Sequence, residues 1–267
     1  MLYYASLNSG SNGNCYYAGN ETEGILIDAG IHCKAIEERM SNLNLDIRKL
    51  RAIFISHEHT DHIRGVYKLA KKYQLPVYIS PGTWQRSFFG KSDIHTQPIA
   101  HHEEIKIGNI AIIPFSKSHD AADPFSFSII HGNARISVIT DVGHACENVI
   151  EHFSKSQVSF IEANYDDELL LKGKYPFYLK QRIRSEVGHL SNMEALELFR
   201  KHKKTDLRHL ILSHLSKENN SPELVQQLFE NEKTSVRIDI APRYNESKLF
   251  LLQNNEVNLI SGQLSIF

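Results

Sequence analysis

The feature that most limits what this chain can fold into is a short apolar run over residues 52–56. It leads without a break into His57-Glu58-His59-Thr60-Asp61-His62. Such a run reads as a buried strand, and the apolar period that starts at Ile63 reads as a helix. His57 and His59 are two residues apart, so both imidazoles can leave the strand end on one side. Asp61 and His62 follow as the helix starts, adding a carboxylate and a third imidazole. These are donors suited to zinc, iron or manganese. Four of them within six residues at a strand-to-helix junction point to a metal rather than a solvated loop.

One turn does not complete such a centre, so further donors are expected at other strand ends. Three positions qualify: His119 past the apolar segment ending at Phe115, Asp141 after 136–140, and His214 after 209–213. Each alone would be an ordinary turn residue. Together, in this order, they form a set.

The remaining sequence supplies short β-rich segments at 3–7, 16–18, 25–29, 52–56 and 77–80, and again at 105–107, 110–115, 125–131, 136–140 and 158–163. Helical periodicity covers 35–43, 63–73 and 193–202. Ser191 with Glu194 makes a capping box, and Ser221-Pro222 opens a helix through Phe229. With no Gly/Ser/Pro-rich linker, this predicts one hydrolase domain over residues 1–267, two sheets covered by helices. A doubly wound parallel sheet is the alternative, and the metal motif favours the first. The net charge of −1 removes any global basic field, so a polyanionic substrate would be held by local patches and metal. The start of the chain shows no basic-then-apolar leader, and no apolar run approaches a membrane span. Three cysteines without paired spacing suggest a reducing compartment. A cytoplasmic protein that does not bind membranes is expected.

The ordered donor series resembles the metallo-β-lactamase superfamily. Most of the chain resembles its YycJ/WalJ group, through residues 9–15, 118–124, 162–164, 188–192 and 214–220. The resemblance implies an α/β fold, the four-layer αβ/βα sandwich, with metals held between the sheet edges. It implies two divalent ions, zinc first, with manganese or iron as alternatives. His57, His59 and His119 would hold one ion and Asp61, His62 and His214 the other, with Asp141 bridging. Asp28 would support the site from behind, a turn former before Gly30 being the plain alternative. Antibiotic hydrolysis is disfavoured, because true β-lactamases use a different bridging pattern. Members of the group are associated with DNA exonuclease activity from the 5′ end. A more distant resemblance to ribonuclease Z places Glu162-Ala163 and Gly188–Ser191 where that enzyme carries a leaving-group histidine. His189 thereby becomes the implied general acid, counted with Asp61 as catalytic. The missing tRNA-gripping insertion argues against tRNA processing. Residues beyond about Asn254 match nothing of use.

Substrate contacts are expected in two places. The 9–14 loop, with Ser11, Asn12 and Asn14, could turn free N–H groups towards a phosphate, although a plain turn explains it equally. Lys172, Lys174, Lys180, Arg182 and Arg184 alternate with Tyr175, Phe177 and Tyr178. Lys180, Arg182 and Arg184 are read as phosphate contacts and the aromatics as base-stacking surfaces. The bland alternative is a solvated helix face with buried aromatics. His95, His101, His102, His131, His152, His202 and His209 read as structural, His32 and His144 stay unassigned, and the cysteines read as small core residues.

Two ions sharing a water would bring its pKa towards neutrality and neutralise phosphodiester oxygens. The expected function is therefore a binuclear phosphodiesterase, a DNA 5′-to-3′ exonuclease using a metal-bridged hydroxide. Small-molecule hydrolases, such as a cyclic-phosphate phosphodiesterase or a thioesterase, share these donors. The basic–aromatic stretch favours nucleic acid. A non-catalytic binding protein on the same scaffold is disfavoured by the complete donor set.

Overall fold

The computed structural model describes residues 1–89, 92–232 and 234–260. The chain runs through β1 (Leu2–Asn8), β2 (Cys15–Gly19), β3 (Gly24–Ile27), β4 (Leu50–Phe54), β5 (Val77–Ile79) and β6 (Thr96–Pro98). It crosses to a second sheet with β7 (Ile105–Ile107), β8 (Ile110–Ser116), β9 (Phe125–His131), β10 (Ala134–Ile139), β11 (Val158–Glu162), β12 (His209–Ser213) and β13 (Arg237–Ile240). It then returns to the first with β14 (Phe250–Gln253) and β15 (Glu256–Leu259). The sheet orders are β15-β14-β1-β2-β3-β4-β5-β6 and β13-β12-β11-β10-β9-β8-β7. The helices of the described residues are α1 (Cys33–Asn42), α2 (Thr60–Ile63), α3 (Val66–Tyr73), α4 (Pro81–Arg86), α5 (Glu147–Ser154), α6 (Asp167–Lys172), α7 (Phe177–Ile183), α8 (Asn192–His202) and α9 (Pro222–Glu230).

Side-chain alternation along the strands decides the layers. Ile25, Ile27, Ala52 and Phe54 point inward and meet Phe127, Ile136 and Phe160 of the second sheet. Their neighbours Leu26 and Ile53 point outward to Ile36 and Met40 of α1 and to Val66 and Leu69 of α3. On the far side, Ile161, Leu210 and Leu212 meet Phe153 of α5, Phe199 of α8 and Phe229 of α9. A period of two thus yields three apolar layers and the expected αβ/βα sandwich, not one doubly wound sheet.

Each sheet is antiparallel on one side and parallel on the other, with β3 to β6 and β10 to β13 forming the parallel parts. Parallel strands deliver their carboxyl ends to a common edge, where open α/β sheets present functional groups. Asp28, the turn beginning at His57, Asp141, Glu162 and His214 all lie at such ends.

The expected helix over 63–73 is two pieces. Gly65 interrupts it, because its N–H donates to the Ala29 carbonyl at 2.7 Å instead of continuing the helix ladder. A Cβ there would lie 2.1 Å from the Ile31 oxygen. Ser80 caps α4, with its side chain accepting from the Thr83 N–H, rather than ending a strand. Short or half-exposed elements such as β6 and β13 carry little apolar pattern, and sequence reading missed them. Residues just past Asn254 form the edge strand β15, paired antiparallel with β14 in the register Leu252–Val257. Residues 261–267, the rest of that tail, lie outside the described residues. No helix among the described residues is long and apolar enough to cross a membrane.

Candidate metal centre

The backbone is bent to form this site. Asp28, Asp141 and His214 follow β3, β10 and β12 with φ of 60°, 55° and 56°. Left-handed backbone is uncommon outside glycine and is tolerated best by Asn, Asp and His. Each strand therefore stops abruptly and leaves its functional side chain at the sheet edge. Gly30 lets two such ends touch: its N–H donates to the Asn14 carbonyl, and a Cβ there would fall 1.6 Å from the Asp61 oxygen.

The donors predicted from sequence converge. Four overlapping sets form: His57, His59 and His119; Asp61, His62 and His214; His57, His62 and Asp141; and Asp141, Glu162, His189 and His214. Within each set the donor atoms lie within 4.8 Å of one another. Donors held about 2.0–2.1 Å from one zinc ion can be at most about 4.2 Å apart, so small side-chain rotations suffice. Asp141 stands between the two trios. Its Oδ2 is 3.1 Å from His62 Nε2, and its Oδ1 is 3.5 Å from His214 Nε2 and 3.9 Å from His119 Nε2. His119 Nε2, His214 Nε2 and Asp141 Oδ2 are buried without a hydrogen bond. Leaving one such atom unsatisfied costs about 1–3 kcal/mol. Three of them converging on one spot fit a divalent cation, which needs unshared donors.

Hydrogen bonds behind the ring nitrogens set which atom faces inward. Asp28 Oδ2 accepts from His62 Nδ1 at 2.7 Å and from Ser56 Oγ at 2.8 Å. Glu162 Oε1 accepts from both His189 Nδ1 (2.8 Å) and His214 Nδ1 (2.7 Å), while its Oε2 accepts the Val142 N–H at 2.8 Å. His119 Nδ1 donates to the Gly188 carbonyl at 3.0 Å. With Nδ1 occupied, His62, His119 and His214 each turn Nε2 towards Asp141, where it could serve as a ligand atom. Sequence reading placed Asp28 behind the site but gave Glu162 no role. Its signals were a place in the 162–164 segment that carries the family resemblance and an acid ending an apolar strand.

Burial pushes the His57 imidazole well below its ordinary value and that of His119 down to about 4. Burial opposes the charged forms of His62 and His214 as well, but Asp141 outweighs it. Helped by Asp28, it holds His62 well above the usual range; with the Asp61 carboxylate 3.7 Å away, it brings His214 to about 10. Burial would raise Asp141, yet His214 and His62 keep it well below the carboxylate range. Against the same effect His189 and His214 take Glu162 to about 2. The acids at the centre are therefore ionised, as cation binding requires, and the protons held by His62 and His214 would leave as a cation enters.

Asp61 and His189 sit at the rim, each with a side chain 22% exposed, and His189 Nδ1 lies 3.8 Å from Asp141 Oδ1. The loop residues are mostly engaged within the protein. Asn14 Nδ2 approaches His62 Nε2 at 3.0 Å and its N–H donates to the Asp61 carbonyl, so Asn14 supports the centre. Ser11 Oγ accepts from Arg243 and Asn12 Nδ2 donates to the Arg243 carbonyl. The N–H groups of Gly10, Gly13 and Asn14 all have protein acceptors, which favours the plain-turn reading. Arg182 pairs with Asp120, beside His119; Lys180 Nζ donates to the Leu171 carbonyl at 2.7 Å; Arg184 Nε lies 3.7 Å from Asp167. Phe177 and Tyr178 are each 73% exposed, so these two aromatics are not buried as the bland alternative required. His209, between Tyr4 and Asp239, and His152, on Ser128, make internal contacts. Cys15 and Cys33 are buried and unpaired.

Comparison with known proteins agrees with this geometry. Residues 24–215 match the family described as Beta-lactamase superfamily domain. The chain is 34% identical to exodeoxyribonuclease YycJ of Bacillus anthracis, over 88% of this chain and 92% of that protein. It is 36% identical to exodeoxyribonuclease WalJ of Streptococcus pneumoniae, over 89% of this chain and 90% of the relative. Among solved structures, the metallo-β-lactamase fold protein YhfI of Bacillus subtilis superposes with a TM-score of 0.70 at 19% identity, covering 92% of this chain and 98% of that one. The short form of human tRNase Z superposes with a TM-score of 0.62 at 16% identity, over 92% and 98%. The chain therefore belongs to the metallo-β-lactamase-fold superfamily, within the group that contains YycJ and WalJ.

Proposed function

We infer that this protein, acting as one domain in the cytoplasm, is a metal-dependent phosphodiesterase that degrades DNA from the 5′ end. The observation that carries this reading is the convergence of buried, unpartnered donors on Asp141, with His189 at the rim braced by Glu162. The relatives named exodeoxyribonuclease support DNA as the substrate. His57, His59 and His119 would hold one divalent ion, Asp61, His62 and His214 a second, and Asp141 would touch both, zinc being the first choice of metal. When bound, such ions supply Lewis acidity that activates water near neutral pH and offsets charge on a phosphodiester.

The chain's own residues do the rest. Asp28, Glu162 and the Gly188 carbonyl fix four imidazoles before substrate arrives, so no reorganisation is needed during reaction. Glu162 occupies His189 Nδ1, which leaves Nε2 to give a proton to the departing oxygen. A DNA strand leaves as a basic alkoxide and needs that proton. The cations near α7 supply local attraction that the net charge of −1 does not.

The test is a parallel incubation of metal-loaded protein with end-labelled duplex DNA, cyclic nucleotides and a thioester. Release of nucleotides from the 5′ end, with little turnover of the others, is the expected result. Preferential turnover of the cyclic phosphate or the thioester would reassign the site to small-molecule hydrolysis.

A further inference from the structure

Helix α7 is unusual in burying none of its side chains. Phe177 and Tyr178 project from it side by side, each 73% exposed. Leaving two large rings in water forfeits the stabilisation that burial gives aromatic side chains, so adjacent exposed rings mark an interaction surface. The chemistry around them selects the partner. Residues 172–184 carry five cations and no acidic residue. Lys172, Arg182 and Arg184 face Glu168, Asp120 and Asp167 of neighbouring segments, while no ion pair with a carboxylate holds Lys174 or Lys180 among the described residues. This leaves a local positive field that attracts a polyanion and disfavours a cationic or purely apolar partner.

The helix is also anchored to the site. The His189 N–H donates to the Ile183 carbonyl at 2.9 Å, and a Cβ on Gly188 would lie 2.1 Å from that same oxygen. The end of α7 therefore rests directly on the segment that carries His189. Arg182 pairs with Asp120, whose carboxylate is 3.4 Å from His119 Nε2. Seven helical residues extend about 10 Å, the height of roughly three bases at about 3.4 Å each. The rings stand at the start of α7 and His189 is held at its end, so the helix separates them by about three stacked bases.

We propose that Phe177 and Tyr178 form a stacking platform for unpaired bases of the DNA strand whose end reaches the metal centre. The proposal rests on the exonuclease reading and assigns it a preference for single-stranded ends. The rings grip bases through their faces, without sequence preference, while the surrounding cations hold the backbone. Arg182, already paired with Asp120, and Lys180, bound to a carbonyl, contribute charge more than directed contacts.

The test measures anisotropy of two labelled strands of equal length on the metal-loaded protein: a phosphorothioate-linked oligothymidylate and the same backbone without bases. Wild type should bind the thymidylate more tightly, by roughly fivefold to 150-fold for each stacked base. The Phe177→Ala/Tyr178→Ala variant should lose that margin, bind the abasic strand as before, and keep its melting temperature and its turnover of a nitrophenyl phosphodiester. Tyr178→Trp in place of Tyr178→Ala should restore much of the margin. Equal losses on both strands, or a wild type indifferent to bases, would overturn the platform. So would a double variant that binds both strands normally but changes from dimer to monomer, since the pair would then join copies of the chain. If wild type shows the base-dependent margin but frees no nucleotides from unmodified DNA, the exonuclease reading fails and the platform stands.

Discussion

Glu162 is the residue whose replacement separates the two halves of the proposed site. Its Oε1 accepts from His214, a proposed ligand, and from His189, the proposed proton donor, at 2.7 and 2.8 Å. Glu162→Gln keeps the shape, but an amide oxygen carries no charge. If instead its NH₂ faces the two rings, a buried donor is left facing donors, at a cost of about 1–3 kcal/mol. Loss of a hydrogen-bonded support behind a ligand typically weakens metal affinity by about 10–100-fold. Loss of proton donation costs about 10²–10⁴-fold in rate. The first loss is reversed by added metal and the second is not. Metal titration followed by mass spectrometry should show weakened loading of one ion. At saturating metal a nitrophenyl phosphodiester, whose leaving group needs no proton, should be hydrolysed nearly normally. DNA should stay slow by at least the lower bound of the general-acid factor. Full recovery on DNA at saturating metal would refute the link between Glu162 and His189. Unchanged metal affinity would refute the link to His214.

Four further outcomes follow from particular contacts. Gly30→Ala places a Cβ 1.6 Å from the Asp61 oxygen, so the variant should lose several kcal/mol of stability and much of its metal, read by denaturant melts; a wild-type melt would contradict the close approach. Burial holds His152 down to about 4 against an ordinary 6.5. Between those values the unfolded chain binds more protons, so this residue's contribution to stability falls as pH drops from 6.5 towards 4. Its ring should titrate near 4 by NMR, and a midpoint at 6.5 would contradict the burial. His189→Ala should keep its metal, lose about 10²–10⁴-fold on DNA and little on a nitrophenyl ester; metal loss would make His189 a ligand. Neutralising Lys180, Arg182 and Arg184 should flatten the salt dependence of DNA binding by about 0.9 log unit per lost contact, and an unchanged slope would show that these cations only brace α7.

The donors were legible because each follows a buried strand, where an apolar run gives way to His or Asp. What was not legible lay across the chain rather than along it. Glu162 looks like any acid ending a strand until His189 and His214, 27 and 52 residues later, fold onto one oxygen. Asn14 read as part of a phosphate loop because its bond to the Asp61–His62 turn spans 48 residues. The break at Gly65 left the apolar period of its helix intact, since the cause was a carbonyl on another segment. The exposed Phe177 and Tyr178 could not be told from core aromatics by spacing, because nothing local records that α7 only half-buries Leu179 and Ile183 and leaves both rings outside.

The central claim is that Asp141 and its surrounding histidines make two ion sites that act together. It is tested most directly by stripping the protein with a chelator and restoring zinc or manganese in measured steps while following hydrolysis of end-labelled DNA. The account predicts that activity returns fully only at two ions per chain, and that Asp141→Ala, which touches both trios, reaches neither full loading nor activity. Full activity with no ion or one, or two tightly held ions in Asp141→Ala, would contradict it.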